Sequence, residues 1–199
     1  SKEEHQIMVL LGAIESIKAG TTVAMEVAEG IMDYADELQK SGLRLVLAEQ
    51  ISDRISGSYG EPGKIESDPQ KNENGLDRMS NLYSKWHNFD QSRITVGIAA
   101  WAPDMNSPNS LRTIRSLQDK LDVVSTVHLN QLWGEVQNIK DNYGTTPTKY
   151  LEQNNFLNDK LVAAHCRCMT TEEEEILGKY KSTVSFNAAI AARRGLSPN

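Results

Sequence analysis

Cysteine is nearly absent. The chain of 199 residues has two, Cys166 and Cys168, one residue apart, a spacing that strains any mutual disulfide, so no disulfide framework shapes the fold. Basic charge is in deficit as well: 27 acidic against 21 basic side chains give a formal net charge of −6. That excludes a general nucleic-acid binder, which needs a basic surface to displace counterions from phosphate. No apolar run approaches the roughly 18 residues of a spanning helix, and the opening SKEEHQ lacks the basic-then-apolar plan of a secretory leader. The expectation is a cytoplasmic protein with no membrane partner. Neither GxGxxG nor GxxxxGK[ST] occurs, so the glycine-rich phosphate loop of nucleotide-binding folds is missing. Aromatic residues make up 6%, yet an apolar share of 39% with mean hydropathy −0.49 is that of a soluble globular chain and excludes disorder and collagen-like order.

What the chain does contain is an alternation of helix and strand. Ile7, Leu10, Leu11, Ile14 and Ile17 recur at helical spacing, with Glu3 and Glu4 at the positive end and Gly20 as a stop. Thr21–Val27 reads as a short buried strand, Gly30–Ser41 as a helix and Leu43–Ala48 as a second strand. The polar stretch Ser52–Gly75 follows, an insert whose length marks it as functional or mobile. The alternation then resumes with a helix over Leu76–His87, a strand over Ile94–Trp101 and a helix over Pro108–Leu121. After a strand at Val123–His128 come helices at Trp133–Tyr143 and Tyr150–Leu157, a strand at Leu161–Cys166, a helix at Thr171–Tyr180 and a strand at Ser182–Phe186. About six apolar strands separated by amphipathic helices imply an α/β fold with a parallel sheet and right-handed crossovers.

With no phosphate loop, a barrel is favoured over a doubly wound sheet. Polar and metal-binding residue types gather at the C-terminal ends of the strands: Glu26, Glu49, Gln50, Trp101, Asp104, His128, His165 and Asn187. In a (β/α)8 barrel that face builds the active site. The period of two puts Val124, Thr126 and His128 on one strand face, and Ala163 and His165 on one face of the next main strand, so both histidines finish a strand. Neutral imidazoles so placed suit a divalent metal.

At these residues the chain resembles a known family. His128-Leu129-Asn130-Gln131 after one strand, Ala163-Ala164-His165-Cys166 ending the next, Met169-Thr170-Thr171-Glu172-Glu173 opening a helix and Ser185-Phe186-Asn187 ending another strand are together similar to the amidohydrolase superfamily, in its cytosine deaminase and triazine chlorohydrolase-like branch. Ile17–Val23 and Gly195-Leu196-Ser197-Pro198 match further junctions of that branch, so the ordered set spans nearly the whole chain. The resemblance implies a partial TIM-type barrel of about six parallel strands, family strands two to seven, with outer helices. Residues 1–199 then form a single incomplete metal-dependent hydrolase barrel domain. The family's His-x-His on strand one does not occur, and the chain ends at Asn199, before strand eight and its aspartate. The expectation is an internal fragment.

By the same resemblance, His128 is a metal ligand, and His165 orients the water or polarises the substrate and ligates in some states. Zinc or iron is the cofactor, and the reaction is hydrolysis of a C–N bond (deamination or amide cleavage) or a C–Cl bond in a small cyclic substrate by a metal-activated water. Deaminase-like members carry a proton-shuttling glutamate three residues after the strand-five histidine, where this chain has Gln131; an amide cannot relay protons as a carboxylate does. Glu135, one turn on, is expected on a solvated helix face. Trp101 and Asn187 are the candidate substrate contacts, Trp101 by stacking on a flat ring. Arg193 and Arg194 are expected on a solvated loop, His5 and His87 on helical segments away from the site, and Glu172–Glu175 as acids that favour a helix dipole. Cys166-x-Cys168 lacks a second pair to close a structural zinc site.

Two other readings stand beside this one. A catalytically silent fragment would bind no metal and fold by self-association, because open sheet edges and exposed apolar interior favour a homo-oligomer. A metal-free barrel lyase would need a lysine at a strand end, and no assigned strand has one.

Overall fold

A computed structural model describes residues 1–193 and 195; Arg194 and the Leu196–Pro198 part of the resemblance lie outside the described residues. Six strands appear: β1 Val23–Ala28, β2 Arg44–Ile51, β3 Ile94–Ala100, β4 Ser125–Leu129, β5 Leu161–His165 and β6 Thr183–Ser185. They make one sheet in the order β1-β2-β3-β4-β5-β6, each pair parallel. The helices are α1 Lys2–Lys18, α2 Ala35–Leu38, α3 Pro69–Trp86, α4 Phe89–Ser92, α5 Pro108–Leu121, α6 Trp133–Tyr143, α7 Pro147–Gln153, α8 Thr171–Lys179 and α9 Ala188–Arg193. The sheet curls with its helices into part of a TIM-type barrel, as the sequence implies.

Local chemistry sets many of the boundaries. Ser1 and Glu4 close a capping box on α1, and Thr170 and Glu173 do the same on α8. Ser107 caps α5 with Pro108 in its first turn, while α6 stops at Gly144, whose φ of 67° is the left-handed conformation that glycine adopts without steric cost. Two expected elements differ. The Gly30–Ser41 helix is broken into short turns around α2, because Tyr34, at φ −136°, leaves the helical region. The polar insert is shorter than the composition suggests, since Asp68 caps α3 and Pro69 starts it before the apolar period sets in.

The core lies between the central strands and the helices over them, with Leu45, Leu47, Ile51, Ile94, Ile98, Leu111, Ile114, Leu129 and Phe156 fully buried. The outer members of the sheet are poorly covered. Val23 on β1 and Val184 on β6 are 52% and 49% exposed, and the stripe Ile7, Leu11, Ile14 on α1 is 60%, 46% and 43% exposed. The apolar period of α1 is real, but its outer face has no partner among the described residues.

Candidate functional site

The C-terminal ends of β4 and β5 bring the two expected histidines together. Their rings stack at 5.5 Å between centroids, 24° apart in plane. The ladder pairs His128 with Ala164 and Leu129 with His165, so an unbroken pleat would send the imidazoles to opposite faces. His165 breaks it with φ +78°, and Cys166 follows at +51°. Left-handed backbone at non-glycine residues costs energy and collects at functional sites.

The two imidazoles meet different partners at Nδ1. His128 Nδ1 lies 2.8 Å from the carbonyl oxygen of Trp101, which only accepts, so Nδ1 carries the proton and Nε2 keeps a lone pair. Burial also pushes the His128 pKa down, against the Trp101 hydrogen bond, and favours this neutral form. His165 Nδ1 instead faces the Asn187 amide nitrogen at 3.2 Å, and the Asn187 oxygen takes the Ser185 hydroxyl at 3.2 Å. His128 is therefore a ready ligand through Nε2, and Asn187 orients the ring of His165.

Gln131 is 7% exposed, with its carbonyl held by Arg167 at 2.9 Å. Glu135 does not lie on a solvated face: it is fully buried and accepts the Asn130 amide at 2.8 Å, the Gln131 amide at 3.0 Å and the Tyr59 hydroxyl at 2.7 Å. Helical periodicity could not reveal this, because the cover comes from the distant insert between β2 and α3. Burial outweighs the hydrogen bond from Tyr59 and, with the Asp104 charge nearby, pushes the Glu135 pKa up to about 8. The folded protein thus holds this proton more tightly than the unfolded chain. Its contribution to stability is complete below the ordinary carboxyl range and is lost as pH rises toward 8. Glu135→Gln is expected to flatten that loss in urea titrations between pH 5 and 8; an unchanged slope would contradict it.

Other candidates are committed elsewhere. Trp101 is half-buried just past β3, its backbone spanning Ile51 and His128. Glu26 accepts the Tyr34 hydroxyl, and Glu49 accepts the Gly30 and Ile31 amides and the Arg78 guanidinium. Asp104 is buried against Arg54. Glu173 does more than favour the α8 dipole: it completes a capping box and accepts from Thr148 and Asn130. His87 accepts the Val96 amide, and His5 packs on Tyr34, both away from the histidine pair. Arg193 ends α9 and is exposed. Both cysteines are free thiols, and burial pushes Cys166 up to about 12, an inert state. Tyr59, whose ring lies 6.2 Å from that of His128, escaped the sequence reading altogether.

Among the described residues no group of three or more His, Cys, Asp or Glu could hold a metal ion. The histidine pair fits a divalent metal in ligand type but not in number, since zinc sites take three or four protein ligands.

The profile described as the amidohydrolase family matches residues 1–197. A 5-methylthioadenosine/S-adenosylhomocysteine deaminase of Carboxydothermus hydrogenoformans is 30% identical over 172 residues, 86% of this chain and 37% of that protein. A 5′-deoxyadenosine deaminase of Methanocaldococcus jannaschii is 29% identical over 179 residues, 89% of this chain and 40% of its own length. Among solved structures, a zinc complex of atrazine chlorohydrolase from Arthrobacter aurescens superposes with a TM-score of 0.84 at 16% identity, covering 98% of this chain and 45% of that one. The chain therefore spans less than half the length of the relatives it matches.

Proposed function

This chain belongs to the amidohydrolase family, and from that premise we propose that residues 1–199 are one incomplete barrel domain of a metal-dependent hydrolase. The substrate is a small cyclic compound cleaved at a C–N or C–Cl bond, and the deaminases named among the relatives favour the amino group of a purine nucleoside. The observation that carries the reading is the stacked pair His128 and His165 at adjacent strand ends.

In a complete centre a divalent metal, zinc or iron, supplies a water acidic enough to ionise near neutral pH; its remaining ligands come from outside the described residues. His128 offers Nε2 as a ligand. His165, oriented by Asn187, would polarise the water or substrate or join His128 as a ligand. Gln131 binds by hydrogen bond but carries no proton. Trp101 supplies a flat face to a ring. Asn187 keeps a second N–H and a second oxygen lone pair for substrate beside its bonds to His165 and Ser185.

A second reading has its own observation: the incomplete ligand set and the exposed stripe Ile7, Leu11 and Ile14 suit a catalytically silent chain that associates with further copies. No described helix is long and apolar enough to cross a membrane. One preparation tests both. Purified without chelator, the isolated chain is expected to assemble by light scattering and to hold metal below one equivalent, and His128→Ala to hold none by elemental analysis. Metal retained by His128→Ala overturns the ligand assignment, and a monodisperse monomer overturns the association.

A further inference from the structure

We propose that the segment between β2 and α3 is a strap whose seating sets the turn bearing Gln131, with Tyr59 as its positioning residue. That Gln131 belongs to a site rests on the reading above; the coupling itself does not.

The strap lies along one face of α6, formed by Gly134, Glu135, Asn138 and Asn142 at helical spacing. Asn138 donates to the Glu61 carbonyl at 2.7 Å and accepts the Gly63 amide at 3.2 Å. Asn142 accepts the Ile65 amide at 3.0 Å and donates to the Gly63 carbonyl at 3.0 Å. The approach is backbone to backbone: a Cβ on Gly134 would sit 1.9 Å from the Gly60 oxygen. An α6 face of amide side chains and a glycine is built to receive main chain, not an apolar partner.

At the N-terminal end of that face the strap meets the site. Tyr59 donates to the Glu135 carboxyl group at 2.7 Å, and the same group takes the Asn130 and Gln131 amides at 2.8 and 3.0 Å. Asn130 sits at φ +50°, a conformation that needs outside support. Support from the β5 side comes from Arg167 on the Gln131 carbonyl and from the Cys168 carbonyl on the Asn130 amide group. The strap side rests on Glu135, which Tyr59 holds in place. Lifting the strap removes that donor and loosens the turn beside His128.

Amide hydrogen exchange on the whole chain tests this, with Asn130 and Gln131 read as a ratio to the core amide of Ile98, bonded to Val124 at 3.1 Å. General destabilisation moves both terms and cancels. Tyr59→Phe keeps the ring and loses the hydroxyl, and the ratio is expected to rise about tenfold. Asn142→Ala is the decisive variant, because Asn142 lies two helical turns from Glu135 and does not touch the turn. If the strap seats as a unit, this variant also raises exchange at Asn130 and Gln131. Faster exchange at Ile65 with an unchanged ratio at Asn130 and Gln131 overturns the coupling, as does a silent Tyr59→Phe. Neither result depends on metal or turnover, so failure here is separable from failure of the hydrolase reading.

Discussion

Gln131→Glu is expected to raise deamination by about 10²–10⁴-fold, the usual yield of a well-placed general acid or base. The setting is a full-length hydrolase carrying this segment in place of the matching part of the Carboxydothermus hydrogenoformans deaminase, with ammonia release from 5-methylthioadenosine as the measurement. The exchange is nearly isosteric, so the position is kept and only the ability to pass a proton is added. It has a cost: Gln131 is only 7% exposed, so the added carboxylate enters a poorly solvated place. Burial of a carboxyl group pushes its pKa upward, which favours a protonated acid near neutral pH. A folded, metal-loaded chimaera whose Gln131→Glu form releases ammonia no faster would remove Gln131 from the reaction.

Asp104→Ala should be the most damaging change to stability away from the apolar core, at about 3–5 kcal/mol, the usual cost of removing one partner from a buried ion pair. Arg54 and Asp104 side chains are 1% and 0% exposed, with Nη1 3.3 Å from Oδ2. The same oxygen also accepts the Gly60 amide and the Asn138 side chain, each at 2.9 Å. Burial nonetheless raises the Asp104 pKa, outweighing Asn138, Gly60 and Arg54. The fold therefore does not favour the ionised carboxylate on balance, and the damage comes from stranding the buried Arg54 charge rather than from losing the attraction. Urea unfolding of Asp104→Ala, Arg54→Met and the double variant separates the two, with the double variant expected to recover most of the loss. A single variant within about 1 kcal/mol of the parent would refute the argument.

How much of this was legible depended on where the deciding chemistry sat. α5 and α6 were readable to the residue because their signals are local: Ser107-Pro108 starts one and Gly144 ends the other. The buried strands announced themselves as apolar runs, and the histidines as strand-end residues. The break in the Gly30–Ser41 helix lay in the backbone at Tyr34, which no side-chain period encodes. The start of α3 carried a readable signal in Asp68-Pro69, masked by the polarity of its first turns. Glu135 and Tyr59 depend on one another across the insert, so neither segment alone shows that the other covers it. The different settings of the two rings needed Trp101 and Asn187, both remote in the chain.

The strand order follows the chain order without exception among the described strands. Each new strand finds its partner in the one made just before it, so the sheet can grow from its N-terminal side during synthesis, one βα unit at a time. No strand has to wait for a segment not yet translated, and none is inserted between two already paired.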